Sequence, residues 1–338
     1  MNIILNIITF PLFIVYLLFV AIRNFLYDIK LLKITKLSCK IVSVGNITVG
    51  GTGKTPTVIA IAKFLQKKNK SLAILSRGYG RASTGTQIVT NGKTEPASWK
   101  NVGDEPVLMA KHLTNIPIVV DENRIRGGKY LINKFNPEII ILDDGFQHRQ
   151  LHKDVDIVLI NSNMSKLKNR ILGFTNFREP WKSLKRAHII FLTKSDYIAS
   201  STKLLEKLQS TALPLFKTNI NPLLFLLDQR TNKIDIKSFY GKTALLFSGI
   251  GDPKTFEKTV TNQNINVLDT INFRDHKNYA TSDIQKIKSK LNKTNADIII
   301  TTEKDFLKIN EPNLPIYAIP VSMNIDEEGF KKIVQYLN

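Results

Sequence analysis

Short apolar runs alternate along most of the chain with stretches in which apolar residues recur at helical spacing. The runs have the length of strands, and several are apolar throughout, which is typical of strands buried on both faces of a parallel sheet. The first two thirds of the chain contain six of them, at residues 40–44, 72–76, 116–120, 138–142, 155–160 and 188–193. Because helical patterns separate these runs, the sequence predicts the α/β class, with a parallel sheet covered by helices.

A second series of strands begins further along the chain. Extended segments at residues 215–220 and 223–227 flank Asn221 and Pro222, as in a hairpin or a linker. Further strands are expected at residues 243–247, 265–268, 297–301 and 316–319. The predicted order is therefore an N-terminal segment, a core domain, a hairpin-like hinge and a smaller α/β domain, at residues 1–38, 39–212, 213–239 and 240–338.

The N-terminal segment is apolar enough to interact with a membrane. From Ile3 to Ile22 it has no charged residue, and about twenty apolar residues suffice for a helix to span a bilayer. Basic residues follow, which predicts that the rest of the chain lies on the cytoplasmic side. We expect a membrane-associated helix that spans the bilayer or dips into one leaflet; the alternative is a helix buried in the core.

Composition and charge narrow the choice of partners. The chain has 338 residues, of which 43% are hydrophobic, so a folded globular body is expected. Its one cysteine, Cys39, suits a reducing compartment. A net charge of +20 favours an anionic surface, either lipid headgroups or nucleic acid. Since no nucleic-acid-binding module is recognisable, we expect the membrane and no nucleic acid, and no obligate protein partner is evident.

A glycine-rich segment directly after the first strand predicts a phosphate-binding loop. Backbone amides close in on phosphate oxygens where glycines leave room, and the lysine that follows reaches the β- and γ-phosphates. The hydroxyl of Thr55 would hold Mg²⁺. The first position, usually glycine, is threonine here, and the alternative is an ordinary glycine-rich turn. The predicted nucleotide-binding residues are Thr48, Val49, Gly50, Gly51, Thr52, Gly53, Lys54 and Thr55.

A second motif, Ile139-Ile-Ile-Leu-Asp143-Asp144, is an apolar strand that ends in two carboxylates. This is the form of the strand that supports Mg²⁺ in P-loop proteins, so Asp143 and Asp144 are predicted metal ligands together with Thr55. Successive side chains of a strand point to opposite faces, so the two aspartates are expected to serve different parts of the site.

Seven motifs in order resemble the tetraacyldisaccharide 4'-kinase family of lipid A biosynthesis. Besides the segments that contain Lys54 and Asp143, they lie at residues 76–81, 103–106, 248–253, 273–276 and 301–305. The resemblance implies ATP- and Mg²⁺-dependent phosphorylation of the 4'-hydroxyl of an acylated disaccharide 1-phosphate, which gives the bis-phosphorylated lipid A precursor. It also implies a position at the cytoplasmic face of the bacterial inner membrane.

The resemblance suggests roles for further residues. Asp104 is the candidate that orients the acceptor hydroxyl and takes its proton, with His276 as its partner and Lys54 neutralising phosphate charge. From the residues alone, Asp104 could instead be a helix N-cap and His276 a surface histidine. Arg77, Tyr79 and Arg81 are expected to bind the substrate, the alternative being a solvated loop. The roles of Gln147, His148 and Arg149, which follow the paired aspartates, stay open.

Because Asp104 lies in the first domain and His276 in the second, we expect domain closure to assemble the site. Two rival hypotheses remain. One is a membrane-anchored nucleotide-driven switch or assembly ATPase, for which the segment Thr193-Lys-Ser-Asp196 offers a weak similarity to the guanine-binding motif of GTPases. The other is a nucleotide-binding scaffold without catalysis, which the combination of Lys54, Thr55 and the paired aspartates disfavours.

Overall fold

The computed structural model describes residues 3–48, 50–162, 164, 177–195 and 200–338. Val49 and Asp196, both singled out in the sequence, lie outside the described residues. The described helices are α1 Ile3–Asp28, α2 Lys54–Lys67, α3 Trp99–Val102, α4 Asp104–His112, α5 Arg124–Phe135, α6 Thr202–Gln209, α7 Pro253–Thr261, α8 Thr281–Thr294, α9 Glu303–Phe306 and α10 Glu327–Leu337. The described strands are β1 Lys40–Asn46, β2 Leu72–Ser76, β3 Gln87–Thr90, β4 Ile118–Val120, β5 Ile139–Asp143, β6 Val155–Asn161, β7 Ile189–Thr193, β8 Leu215–Pro222, β9 Phe225–Leu227, β10 Lys233–Asp235, β11 Thr243–Ser248, β12 Asn266–Asn272, β13 Ile298–Thr302, β14 Ile316–Ile319 and β15 Val321–Ile325.

The larger sheet has nine strands among the described residues, in the order β15-β8-β7-β6-β1-β5-β2-β4-β3. Its seven central strands are parallel, and β15 and β3 pair antiparallel at the edges. At the centre, β1 and β5 are buried almost throughout, as their apolar sequences predict. Because parallel neighbours end at the same edge, the phosphate loop after β1 and the aspartates after β5 lie side by side. The predicted α/β class is confirmed.

The smaller sheet has the order β10-β9-β14-β13-β11-β12 in the described part of the chain, and apolar clusters cover both of its faces. The predicted bounds of the two domains differ from the sheets that form. The predicted hinge, residues 213–239, contains β8 of the larger sheet and β9 and β10 of the smaller one. The last residues, 321–338, return to the larger unit, because β15 pairs with β8 and Ile333 of α10 is buried in the larger core.

The N-terminal helix forms as predicted, and one side of it packs on the body of the protein. Val20, Asn24 and Tyr27 are buried, and Asn24 Nδ2 donates to Glu179 Oε2 at 3.1 Å. Over the residues that the structure describes, no helix combines the length and the apolar character needed to cross a membrane. The attachment of this helix to a membrane stays a prediction.

Candidate active site

The phosphate loop connects β1 to α2 at the centre of the larger sheet. Gly53, which precedes α2, has φ of 86°, a left-handed conformation that glycine adopts without strain. A Cβ atom at Gly53 would also lie 2.9 Å from the side chain of Met323. Inside the loop, Asn46 Nδ2 donates to Thr52 Oγ1 at 2.9 Å. The loop therefore leads into the N-terminus of α2, where free backbone N–H groups favour an anion.

Lys54 and Thr55, the first residues of α2, are placed as a nucleotide site requires. The Nζ of Lys54 lies 3.6 Å from Asp144 Oδ1, and its side chain is 12% exposed. Thr55 is buried. The lysine is therefore held near Asp144, which directly follows β5.

The two adjacent aspartates have opposite electrostatic environments. Asp143 is buried and accepts from Ser76 Oγ at 2.8 Å; burial, together with the charges of Glu105 and Asp144, raises its pKa to about 7. Asp144 is also partly desolvated, but the charges of Lys54 and Arg178 outweigh this effect and lower its pKa. The two residues therefore have different surroundings, although Asp144 lies just beyond β5, where strand alternation no longer determines the direction of its side chain.

The carboxylates fit a divalent cation. Among the residues that the structure describes, Asp143 Oδ1 is buried and has no hydrogen-bond partner, and such an oxygen is stabilised by a cation. The described residues contain no group of three or more His, Cys, Asp or Glu side chains that could hold a metal alone. A P-loop site does not need one, since Mg²⁺ takes only one or two protein carboxylates together with phosphate oxygens and water.

Asp104 and His276, predicted as a catalytic pair, are in contact. His276 Nδ1 lies 3.2 Å from Asp104 Oδ2, although 172 positions separate the two residues in the chain. The N-cap alternative for Asp104 is wrong: Gly103 occupies the cap, and Asp104 is the first residue of α4. The surface alternative for His276 is also wrong, because the side chain is only 24% exposed.

The charge of Asp104 is stabilised from several sides. Burial by itself would raise its pKa, but the hydrogen bond with His276 and the charges of Lys304 and Lys308 hold the pKa well below its ordinary value. Asp104 is therefore ionised at neutral pH. Neither lysine was among the predicted site residues, although Lys304 belongs to the motif at residues 301–305.

The predicted substrate residues after β2 divide into two groups. Tyr79 is 63% exposed, and its ring centroid lies 4.8 Å from that of His276; Arg77 is also exposed. Both are exposed enough to meet a ligand, Tyr79 beside His276 and Arg77 on the side of Arg124 and His148. Arg81 is not: its guanidinium donates to Gly85 O at 2.8 Å and pairs with Glu122, and its side chain is 5% exposed. We correct its role to holding this loop in place.

Two further basic residues, Arg178 and Arg124, lie near the paired aspartates. Arg178 donates to both carboxylate oxygens of Asp144, at 2.9 and 2.7 Å. Arg124 is buried and near enough to Arg77 for their charges to interact. Burial and the charge of Arg124 lower the pKa of His148 to about 4, so this imidazole is neutral. Arg124 and Arg178 are far apart in the sequence, so no sequence pattern indicates that they lie together near the paired aspartates.

Gln147 and Arg149, whose roles were open, have structural contacts. Gln147 Nε2 donates to the carbonyl oxygen of Asn46 at 2.8 Å and supports the phosphate loop. Arg149 donates to Asn24 O at 2.8 Å and pairs with Asp28 at the same distance. The segment after the aspartates thus connects the phosphate loop to α1.

The smaller unit lies against the phosphate loop. A Cβ atom at Gly251 would lie 2.8 Å from Gly51 N, so only glycine permits this approach. Beside it, Lys194 Nζ pairs with Asp252 Oδ2 at 2.5 Å, and Lys194 is buried. The motif at residues 248–253, which had no predicted role, covers the loop.

Comparison with known proteins agrees with this geometry. A family described as tetraacyldisaccharide-1-P 4'-kinase, LpxK, matches residues 5–337. The tetraacyldisaccharide 4'-kinase of Aquifex aeolicus is 37% identical over 92% of this chain and 92% of its own length, and that of Halothermothrix orenii is 32% identical over 96% and 90%. The crystal structure of the "apo" form of Aquifex aeolicus LpxK in complex with ATP matches with a TM-score of 0.78 and 34% identity, over 99% of this chain and 100% of that one. The resemblance drawn from the motifs is confirmed, and the chain belongs to the tetraacyldisaccharide-1-P 4'-kinase family.

Proposed function

We propose that this chain transfers the γ-phosphoryl group of ATP to the 4'-hydroxyl of a tetraacylated glucosamine disaccharide 1-phosphate, giving the bis-phosphorylated lipid A precursor. The observation that carries the proposal is the contact of Asp104 with His276, a carboxylate–imidazole pair at the edge of a phosphate-binding site. Glu105, the next residue, is near enough to raise the pKa of Asp143, so the pair and the phosphate site are adjacent. A nucleotide switch has no use for such a pair.

In this reaction the residues have separate tasks. Asp104 orients the acceptor hydroxyl and takes its proton, and His276 holds Asp104 in place. Because phosphoryl transfer passes through a loose transition state, an ionised aspartate of low basicity suffices. Lys54 neutralises charge on the β- and γ-phosphates.

Thr55, Asp143 and Asp144 are the residues that would hold Mg²⁺. When bound, Mg²⁺ would neutralise phosphate charge. Asp143 offers the unpartnered buried oxygen, and Asp144 lies closer to Lys54. On the acceptor side, Tyr79 stacks on a sugar ring beside His276, and Arg77 binds a sugar or phosphate oxygen.

The test uses purified protein in detergent with Mg²⁺, ATP labelled at the γ-phosphate and the tetraacyldisaccharide 1-phosphate. Label is expected at the 4'-position of the lipid, and ATP consumption is expected to depend on the lipid. ATP hydrolysis that proceeds equally without lipid, and with no label in the lipid, would contradict the proposal and favour the switch.

The N-terminal helix brings this site to the cytoplasmic face of the inner membrane. The side of α1 that faces away from the protein body presents Val15, Leu18, Phe19, Ile22 and Phe25, each at least 50% exposed. A helix of this kind lies in the membrane interface with its apolar face among the lipids. Tyr16 Oη also donates to the carbonyl oxygen of Arg178 at 3.1 Å, which ties the helix to the site.

Vesicles of anionic phospholipid test this attachment. Phe19→Ser combined with Phe25→Ser is expected to reduce co-sedimentation with the vesicles and to leave the melting temperature near that of the parent protein, because both side chains are exposed. Unchanged co-sedimentation would contradict attachment through this face.

Closure of the two units completes the site. Two connections join the sheets, one after β8 and one before β15, and they lie together, since Leu223 N donates to Pro320 O at 2.9 Å. A rotation about this pair of connections would separate His276 and Lys308 from Asp104, and it would also break the contacts of the smaller unit with α4 and the phosphate loop. Structures with and without nucleotide that show the same His276–Asp104 distance would contradict the closure.

A further inference from the structure

The motif at residues 301–305 has no part in the reaction described so far, yet it leads into a segment that packs against the helix of Asp104. In α9, Glu303 Oε1 lies 2.8 Å from His112 Nε2, near the end of α4. Lys304 Nζ lies 3.8 Å from Glu105 Oε1, near its start. Leu307, just beyond α9, packs against the apolar core of the larger unit. The segment therefore runs along α4 and fixes its position relative to the smaller sheet.

The next residue, Lys308, contacts the catalytic carboxylate directly. Its Nζ lies 2.6 Å from Asp104 Oδ2, the same oxygen that His276 Nδ1 contacts at 3.2 Å, and it also donates to Lys277 O at 3.2 Å. The lysine side chain is 1% exposed and lies near the ring of Trp99. Asp104 Oδ1 accepts from Glu105 N at 2.9 Å. Both carboxylate oxygens are thus engaged, and one of them is paired with a desolvated cation.

We propose that Lys308 is a positioning residue for Asp104, which it keeps ionised and oriented toward the acceptor hydroxyl only while the smaller unit is docked on α4. This inference rests on the proposed function, in which Asp104 takes the proton of that hydroxyl. Asp104 is then an effective base only when the two units are docked, because the cation that stabilises its charge belongs to the smaller unit.

The contacts around Asp104 favour Lys308 over its neighbour Lys304 for this role, although the charges of both lysines lower the pKa of Asp104. Lys304 is shared, because it lies 3.1 Å from Asp275 and 3.8 Å from Glu105. Lys308 is not shared within the described part of the chain, where Asp104 is the one carboxylate at salt-bridge distance from it. Removal of one partner of such a buried ion pair strongly destabilises the protein, because the charge of the other partner is left buried and unpaired.

The other charged groups near the Asp104 carboxylate differ in their effect on its pKa: some lower it and others raise it. His276 comes from the loop after β12, and its contribution depends on its own protonation. Glu105, on α4 itself, disfavours the ionised form of Asp104. Asp275 pairs with Lys304 and so reduces the stabilisation that Lys304 gives to Asp104. With glutamine at position 308, burial and two nearby carboxylates make protonation of Asp104 easier, whereas the shared Lys304 and the hydrogen bond with His276 still oppose it.

The experiment compares Lys308→Gln, which keeps a donor of similar size without charge, with Lys308→Arg, which keeps the charge. The kcat and the KM for ATP are measured from pH 3 to pH 9, with melting temperatures as a check of folding. For Lys308→Gln, kcat at neutral pH is expected to fall about tenfold, and the acid limb of its pH profile to move up by about one pH unit. Its KM for ATP is expected to stay within about twofold, and Lys308→Arg to keep the parent acid limb.

Lys290→Gln is the matched control. Lys290 also pairs with an aspartate at 2.6 Å and belongs to the same unit, but its partner is Asp269 and both side chains are more than a third exposed. This variant is expected to match the parent in all three measurements. An acid limb in folded Lys308→Gln that superimposes on the parent limb would overturn the inference, as would a Lys308→Arg variant with the shifted limb of Lys308→Gln.

His276→Asn tests the inference if Lys308→Gln does not fold, because it leaves Lys308 alone on Asp104 Oδ2. The acid limb of its residual activity is expected to move up, because the hydrogen bond with Asp104 is lost, but by less than one pH unit, and a limb raised by a full unit would overturn the role of Lys308. Failure of the proposed function itself is distinguishable: the parent protein would then transfer no phosphate to the lipid under any of these conditions.

Discussion

The phosphate site and the Asp104 cluster are assembled in different ways. The phosphate site uses one continuous stretch, from β1 through the loop into α2, and the neighbouring strand tip of β5. In the Asp104 cluster, the carboxylate belongs to the larger unit, whereas His276 and Lys308 come from the smaller one. Local chain geometry fixes the first site, and only the docking of two units fixes the second. Substitutions should therefore affect nucleotide binding and catalysis separately.

The largest effect is expected from Lys54→Ala in the phosphate site. Removal of a cation that faces the transferred phosphate costs about a thousandfold in rate when the group acts on developing charge. The KM for ATP is also expected to rise, since Lys54 acts on bound phosphate. Steady-state kinetics of lipid phosphorylation would measure both. A variant with parent kcat would contradict the placement of Lys54 at the phosphates.

Asp104→Asn is expected to produce a loss of about a hundredfold in kcat, at the lower end for a general base because the proton leaves late in phosphoryl transfer. The KM for ATP should change little, in contrast to Lys54→Ala, because Asp104 belongs to the other cluster. The same kinetic assay separates the two effects. If Asp104→Asn raised the KM for ATP as much as Lys54→Ala does, the two clusters would not be functionally distinct.

Within the phosphate site, the two adjacent aspartates are expected to affect the stability of the protein in opposite ways. The pKa of Asp143 is raised to about 7, so its folded form prefers the proton, and its contribution to stability is lost as pH rises from about 4 through about 7. Without Mg²⁺ and nucleotide, Asp143→Asn is expected to stabilise the protein at pH 8 by on the order of 2 kcal/mol, and the gain should vanish near pH 4. Thermal unfolding across this pH range measures it.

Asp144→Asn provides the control with the opposite sign. The pKa of Asp144 is lowered, so its contribution to stability is present at neutral pH and lost as pH falls through the acidic range. This variant is expected to be less stable than the parent at pH 8. Equal shifts of the melting temperature for the two asparagine variants would contradict the different environments of the two carboxylates.

The elements around the predicted phosphate site follow from sequence patterns, because their determinants are local. Buried strands read as apolar runs, glycines mark the loop, and carboxylates mark the end of β5. What the pattern did not decide is which aspartate contacts Lys54. Asp144 has φ of 50°, so the chain turns immediately after the strand, and strand alternation no longer fixes the direction of this side chain.

The second cluster was only partly predictable. The pairing of Asp104 and His276 came from the family resemblance, since no local rule links residues 172 positions apart. Lys308 is one of 48 lysines and arginines in the chain, and nothing near it in sequence distinguishes it from a solvated residue. Its burial arises from docking of the two units. The return of β15 and α10 to the larger unit escaped prediction for the same reason, because a strand pattern does not specify its sheet.

The smallest effect is expected at Lys194, which joins the two units on the side of the phosphate loop, away from Asp104. Lys194→Met removes the pairing with Asp252, so the segment that contains Gly251 covers the loop less firmly. Asp252 still accepts from Thr255 N and caps α7, which limits the damage to the contact itself. We expect the KM for ATP to rise about tenfold with kcat within about twofold, the inverse of the result at Lys308.

Lys288→Met, which breaks a pair with Glu311 inside the smaller unit, serves as the control and should leave both constants unchanged. A fall in kcat with an unchanged KM for Lys194→Met would mean that the two contacts between the units act as one, and that docking supports catalysis without a separate effect on ATP.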